Sequence, residues 1–190
     1  MDFFQPITSA MADDRTEEHV FVKACEACLA MNMHYSDRST NQFMLSLMAE
    51  EENQHFGEAL IFILNEQGKT EEKNGSLLKQ SLKALQDLFS DDASSSYFYT
   101  NDLKVLVDIF IREITNLNQK EKLRKDYLET LSLLLNRSTW VEHGRYRRSD
   151  IVKCLESILD VGGDGVDGFV EDVVEMVEIV LTDCGNILEE

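Results

Sequence analysis

Proline is almost absent from this chain, which holds a single one, Pro6, among 190 residues. Proline breaks helices because it removes a backbone donor, so every residue after position 6 is free to be helical. Apolar residues recur at spacings of three and four, the period of one helix face, as in Val20, Ala24, Cys28 and Met31. The sequence therefore predicts an all-α fold.

Basic residues are scarce: 18 Lys and Arg stand against 36 Asp and Glu, for a net charge of −18. Nucleic acids and anionic membranes attract proteins through a dominant basic field, so we expect neither as a partner. No apolar run approaches the roughly 18 residues of a transmembrane helix, so no membrane insertion is predicted. The first basic residue, Arg15, follows several acids, unlike a secretory signal, which indicates a cytoplasmic protein.

Metal and disulfide patterns are also lacking. The four cysteines follow no disulfide framework and are expected to be reduced thiols: Cys25, Cys28, Cys154 and Cys184. Cys25 and Cys28 have the spacing of half a zinc site, but no second pair completes it, so we interpret both as buried core thiols. One Glu-x-x-His occurs, Glu52 with His55, whereas a carboxylate-bridged di-metal site needs two. We predict no metal and no cofactor.

No pattern points to catalysis. There is no Gly-x-Ser-x-Gly nucleophile elbow, and Asp160, Asp164 and Asp167 do not have calcium-loop spacing. The glycine-rich residues 161–168 contain acids and lack the lysine that follows a phosphate-binding loop. We therefore expect a protein-interaction module and not an enzyme. Its predicted organisation is a helical domain over 1–160, a linker over 161–168 and an acidic helix over 169–190.

A weak internal repeat favours one kind of helical architecture. Residues 82–89 align with 128–135 at an offset of 46, and residues 61–63 align with 109–111 at an offset of 48. Armadillo and HEAT repeats have periods of about 40–47 residues and stack helix pairs into a solenoid. The prediction is an armadillo/HEAT-like α-solenoid of stacked helix pairs; a plain helical bundle is the alternative.

The few basic residues are concentrated in one part of the chain. Residues 101–153 hold 11 basic and 8 acidic residues, and the rest of the chain holds 7 and 28. Residues 154–190 carry 11 acids and no Lys or Arg. This asymmetry predicts that an otherwise acidic protein presents one basic surface to a partner. The alternative is that the helices simply differ in charge.

The same part of the chain carries three motifs of a known family. They are residues 99–113 (Tyr-Thr-Asn-Asp-Leu-Lys-Val-Leu-Val-Asp-Ile-Phe-Ile-Arg-Glu), residues 123–131 (Leu-Arg-Lys-Asp-Tyr-Leu-Glu-Thr-Leu), and His143 with residues 145–151 (Arg-Tyr-Arg-Arg-Ser-Asp-Ile). In order and spacing they resemble the C-terminal leucine-rich domain of the WISH/DIP family, the family of the NCK-interacting protein with an SH3 domain. Residues 43–89 fit the preceding helices of that domain in pattern only.

The resemblance implies an armadillo-like α-solenoid that binds and activates the Arp2/3 complex. In that family, activation needs no preformed filament and yields unbranched actin filaments. It further implies a non-enzymatic protein of the actin cytoskeleton, at cortical or endocytic sites, with actin as a second partner. The chain departs from the family in having no PxxP segment, and its acidic tail has no family counterpart. A generic α-solenoid adaptor that holds a peptide or helix in a groove is the alternative function.

On this resemblance, the partner-binding residues are predicted on the basic surface: Arg137, His143, Arg145, Tyr146, Arg147, Arg148 and Lys153. Arg and Tyr are favoured at the energetic centres of protein interfaces. Arg147 and Arg148 fall outside the apolar stripe of the helix that follows, so both are predicted to be exposed. The alternatives are that these side chains are solvated surface, cap helix ends, or hold down the acidic residues 171–178.

Overall fold

The computed structural model describes residues 18–35, 41, 44, 54–69, 75–90, 97–117, 122–162 and 168–188. All regular structure in these ranges is α-helical, in seven helices, which confirms the all-α prediction. The helices are α1 Glu18–Asn32, α2 Gln54–Lys69, α3 Gly75–Ser90, α4 Thr100–Asn116, α5 Lys122–Arg137, α6 Arg148–Gly162 and α7 Gly168–Leu188. The chain forms two compact units, Met1–Tyr99 and Thr100–Glu190. No helix in the described ranges is both long and apolar enough to cross a membrane.

In the first unit, α3 is the central helix and contacts both α1 and α2. Ten of its residues are buried, seven of them apolar, as expected for a helix that is covered on more than one side. The face of α1 in this core contains Cys25, Cys28 and Leu29, which confirms the two cysteines as core thiols. Val20, predicted on the same face, is instead exposed, because it lies in the first turn of α1, before the buried Cys25.

A buried polar network stabilises the same unit. The Nδ2 atom of Asn32 donates to Oδ2 of Asp87 over 2.8 Å, and Lys83 pairs with that carboxylate at 2.6 Å. Asn41 donates to the side-chain oxygen of Asn32 over 2.6 Å and accepts from the backbone nitrogen of Met44. A buried charge is stabilised only when it is paired and hydrogen-bonded, and this network meets both needs at the Oδ2 atom of Asp87.

Residues 97–98 close the first unit against α2. The ring of Phe98 is buried and lies 5.5 Å from the ring of Phe89. Gly57 makes this approach possible, because a Cβ atom there would lie 3.0 Å from both Phe98 and Tyr97.

In the second unit, α4 packs on α5 and α6, and α7 packs on α5 and α6. The rings of Phe110 and Tyr127 meet edge to face with centroids 5.7 Å apart. Arg124 is buried, and its Nε donates over 2.8 Å to the carbonyl of Ile114 in the last turn of α4. The final turn of a helix leaves carbonyls without helical partners, so this arginine caps α4 from the next helix.

The acidic helix α7 turns one face inward and the other to solvent. Over residues 171–188 the buried side chains are Val173, Val177, Val180, Cys184 and Leu188. Its acids lie on the exposed face: Glu171, Asp172, Glu175, Glu178 and Asp183. The charges therefore stay in water, where they cost little.

Three earlier predictions involve residues that the structure does not describe. These are residues 163–167 of the predicted linker over 161–168, residue 43 at the start of the family-like pattern, and Glu52 of the Glu-x-x-His spacing.

Candidate functional site: the loop between α5 and α6

Residues 138–147 form the α5–α6 loop, a series of turns anchored by the only tryptophan of the chain. Trp140 is 1% exposed, and its indole nitrogen donates to the carbonyl oxygen of Tyr146 over 3.1 Å. The backbone nitrogen of Arg145 donates in turn to the carbonyl of Trp140. Trp140 thus fixes the loop from inside. The predicted site did not include it, although a lone tryptophan in a polar loop is itself a signal.

The backbone of this loop adopts an unusual conformation. Gly144 has a φ of 80°, and the two arginines Arg145 and Arg147 have φ values of 53° and 55°. A left-handed conformation costs a residue with a Cβ atom about 1–2 kcal/mol. The loop pays this cost twice between α5 and α6, and the surrounding contacts must hold it there.

Three of the four predicted arginines line one cavity. It is open to solvent, has a volume of about 650 Å³, and is lined by Val141, Gly144, Arg145, Arg147, Arg148, Ser149 and Asp150. Arginines that line a cavity favour carboxylates or phosphates as ligands, because these groups accept hydrogen bonds from a guanidinium in a planar fork.

Asp108 of α4 ties the loop to the rest of the unit. Its two carboxylate oxygens accept from Nη1 of Arg147 at 2.8 Å and from the Tyr146 hydroxyl at 3.3 Å. The ammonium of Lys104, one turn earlier, lies 5.7 Å from the centre of the Tyr146 ring, a cation–π geometry. Lys104 and Asp108 were not predicted as site residues; their spacing of four places them on one face of α4.

Arg147 also binds the helix that it precedes. Its Nε donates to Oδ2 of Asp150 over 2.8 Å. The hydrogen bonds to Asp108 and then to Asp150 raise the pKa of Arg147, and the same contact lowers the pKa of Asp150. Arg147 is 38% exposed, so the prediction that it lies at the surface is confirmed.

Arg148 departs from the prediction. It is half-buried, and its Nε donates over 2.7 Å to the carbonyl oxygen of Leu188, at the end of α7. The predicted exposure was wrong because α7 ends beside the start of α6, where its unpaired carbonyls need donors. Arg148 does contact the acidic helix, as one alternative held, but through this main-chain oxygen and not through residues 171–178.

The remaining predicted residues lie around this centre. The exposed His143 places Nε2 within 3.0 Å of the Thr100 hydroxyl, at the start of α4. Arg137 is exposed at the last position of α5, and Lys153 is exposed on α6. Neither lines the cavity. The structure therefore brings Arg145, Arg147 and Arg148 together and leaves Arg137 and Lys153 at the periphery.

Comparison with known proteins gives one family. Residues 17–151 match the model of "SPIN90/Ldb17, leucine-rich domain", a range that includes every predicted site residue except Lys153. Protein dip1 of Schizosaccharomyces pombe is 40% identical over 110 residues, 57% of this chain and 28% of that protein. Protein LDB17 of Eremothecium gossypii is 30% identical over 122 residues, 64% of this chain and 26% of that protein.

A second LDB17 protein, from Saccharomyces cerevisiae, is 32% identical over 77 residues, which are 40% of this chain and 16% of that protein. The matched region thus spans between 16% and 28% of these relatives.

Proposed function

The chain belongs to the SPIN90/Ldb17 leucine-rich domain family, and from this premise we propose that it binds and activates the Arp2/3 complex. The product is an unbranched actin filament, formed without a preformed mother filament. The match over residues 17–151 carries this proposal, because it extends the motif resemblance from one basic segment to most of the chain.

The proposed architecture is the armadillo-like α-solenoid. Its support is the agreement between the internal repeat and the helices: residues 61–63 and 82–89 fall on α2 and α3, and residues 109–111 and 128–135 fall on α4 and α5. Within each unit, the two helices of the pair contact one another. A repeat of contacting helix pairs is what an armadillo or HEAT solenoid is built from.

The protein acts by contact alone under this proposal, with no catalysis, cofactor or bound metal of its own. It works in the cytoplasm at cortical or endocytic actin, with the Arp2/3 complex as partner and actin as a second one.

The α5–α6 loop is the proposed contact surface. Asp108 and Trp140 hold Arg147 and Tyr146 in place before a partner arrives, and preorganised side chains lose less entropy on binding. Arg145, Arg147 and Tyr146 form its centre. His143 lies beside them, Arg148 supports the loop through Leu188, and Arg137 and Lys153 extend the positive field.

The test is an actin-assembly assay with purified Arp2/3 complex, without filament seeds and without a WASP-type activator. We expect the chain to shorten the lag of assembly only when the complex is present, and microscopy to show unbranched filaments. Arg147→Glu should weaken binding by about 2 kcal/mol, as for an arginine at an interface centre. Lys79→Glu, an exposed lysine of α3 with the same change in charge, is the matched control and should leave assembly unchanged.

An unchanged lag at every concentration, together with no Arp2/3 subunits captured at low salt, would reject the proposal. The adaptor function would then be favoured, in which the helical surface holds a peptide or helix without accelerating assembly.

A further inference from the structure

We propose that Ser149 is a phosphorylation site for an arginine-directed serine/threonine kinase, and that its phosphate switches the basic surface off. The modification depends only on the residues around Ser149. Its effect on binding rests on the proposed function.

Ser149 is open to modification. It is exposed at the second position of α6 and lines the same cavity as Arg145, Arg147 and Arg148. Among the described residues its hydroxyl makes no hydrogen bond, so no internal contact has to break before it reacts. The turns of residues 138–147 precede it, so Ser149 lies at the very start of a helix, where the backbone frays more readily than in the helix interior.

The residues before Ser149 specify the kind of kinase. Arg147 and Arg148 directly precede it, and Arg145 lies four positions before it. Kinases select substrates in large part by charge pattern, so this cluster suits an enzyme with acidic residues beside its active site. The whole chain has a net charge of −18, which makes this basic segment distinctive on the molecule.

The reaction is an ordinary phosphoryl transfer from ATP. The Oγ atom of Ser149 attacks the γ-phosphorus, the bond from that phosphorus to the β,γ-bridging oxygen breaks, and ADP leaves. The hydroxyl proton passes to the catalytic base of the kinase. The phosphoserine then carries about 1.5 to 2 negative charges near neutral pH.

This charge would act on the cavity in two ways. It would sit in the first turn of α6, where the helix dipole stabilises an anion, so the fold should tolerate it. It would also compete with Asp108 and Asp150 for Arg147, and it would neutralise the field of the neighbouring guanidiniums. An anionic partner would then meet a phosphate in place of an open basic cavity.

The experiment treats the full chain with the catalytic domain of an arginine-directed kinase and ATP, and locates the phosphate by mass spectrometry. We expect one phosphate at Ser149, none in Ser149→Ala, and a melting temperature that does not fall. Binding of the Arp2/3 complex should weaken by at least about tenfold, the equivalent of about 1.4 kcal/mol.

A matched pair of substitutions separates local from general charge effects. Ser149→Asp and Ser76→Asp each place an acid at the exposed second position of a helix, α6 and α3 respectively. Both gain the same dipole interaction, but only Ser149 adjoins the arginine cavity. We expect Ser149→Asp alone to weaken binding.

Three results would overturn parts of the proposal. If the kinase labels the unfolded chain at Ser149 but not the folded protein, the site is rejected. If the phosphorylated protein binds as tightly as the unmodified one, the switch is rejected. If the unmodified protein does not bind the Arp2/3 complex, the proposed function and the switch fall together, while the labelling still decides whether Ser149 is a site.

Discussion

At the scale of single residues, the α5–α6 loop depends on backbone conformations that its side chains disfavour. Gly144, Arg145 and Arg147 all have positive φ values, and only the first of them is a glycine. No atom lies within 4 Å of where a Cβ on Gly144 would be, so conformation and not space explains the glycine. Arg147 is kept at this cost because its side chain is tied to Asp108 of α4 and Asp150 of α6.

Glycine substitutions measure this strain directly. Gly144→Ala should lower stability by about 1 kcal/mol, because alanine disfavours the left-handed region and meets no neighbour that could compensate. Arg145→Gly should be more stable than Arg145→Ala by a similar amount, since both remove the guanidinium and only glycine relieves the backbone. Urea unfolding of the three variants checks this. Equal stabilities for the two Arg145 variants would show that the loop relaxes without strain.

The cysteines make a second prediction at this scale. Burial, with a smaller contribution from the charge of Cys28, raises the pKa of Cys25 to about 12 from 9.0, and burial alone raises that of Cys28 to about 12. A thiol whose pKa is higher in the folded than in the unfolded protein stabilises the fold at pH values below its unfolded pKa. This stability is lost as the pH rises from about 9 towards about 12. We expect all four buried thiols to resist a thiol reagent at neutral pH and to react after unfolding.

Fast labelling of any thiol in the native protein would contradict this. An unfolding midpoint that stays constant through the alkaline range would contradict the pH dependence.

At the scale of helices, the placement of α7 follows from one apolar stripe and one arginine. The stripe from Val173 to Leu188 is buried by α5 and α6, and Asn136 donates over 3.0 Å to the sulfur of Cys184 within that contact. Arg148 then closes the end of the helix by donating to Leu188. The acids of α7 take no part in this contact, since they lie on the opposite face.

Arg148 and Arg147 should therefore behave differently when each is replaced alone. Arg148→Ala should lower stability by about 1–2 kcal/mol, because a charged donor to a half-buried carbonyl is lost. It should also speed hydrogen exchange in the last turn of α7. Arg147→Ala should cost less than about 1 kcal/mol, since its ion pairs are exposed. Lys153→Ala on α6 is the control, expected within about 0.5 kcal/mol of the parent.

If amide hydrogen exchange at residues 182–188 is unchanged in Arg148→Ala, the apolar stripe alone holds α7 in place. If Arg148→Ala loses partner binding without a change in melting temperature, Arg148 contacts the partner directly.

At the scale of the whole molecule, the chain has two compact units, each with its own core. The second unit holds the complete α5–α6 loop, its tie to α4 and the support from α7. Its length exceeds the roughly 60 residues at which many single domains fold alone.

A fragment of residues 100–190 should accordingly fold by itself. We expect a helical far-UV circular dichroism spectrum and one cooperative thermal transition. A shorter fragment, residues 100–167, is the matched control: it lacks α7, exposes the faces of α5 and α6, and should melt earlier or bind a hydrophobic dye. A longer fragment that melts without a cooperative transition would show that the second unit needs the first in order to fold.

The sequence by itself determined the helices, much of the core and the position of the charge. Near-absence of proline permitted helices, and the spacing of Leu106, Phe110 and Ile114 placed them on a buried face of α4. These are local properties, set by the 3.6-residue period of the helix. The same period placed the acids of α7 outside. Arg147 was correctly predicted at the surface for this reason, because it falls outside the apolar stripe of the next helix.

Only the tertiary structure decided which polar residues are buried and what the arginines bind. Asp87 lies 55 positions from Asn32, and Arg148 lies 40 positions from Leu188. The period of a helix relates only residues three or four positions apart, so it cannot predict these pairs. The left-handed backbone at Arg145 and Arg147 was equally hidden, because arginine disfavours that region and marks no turn. Such features depend on which helices meet, so local preferences cannot specify them; packing and the need to satisfy buried polar groups do.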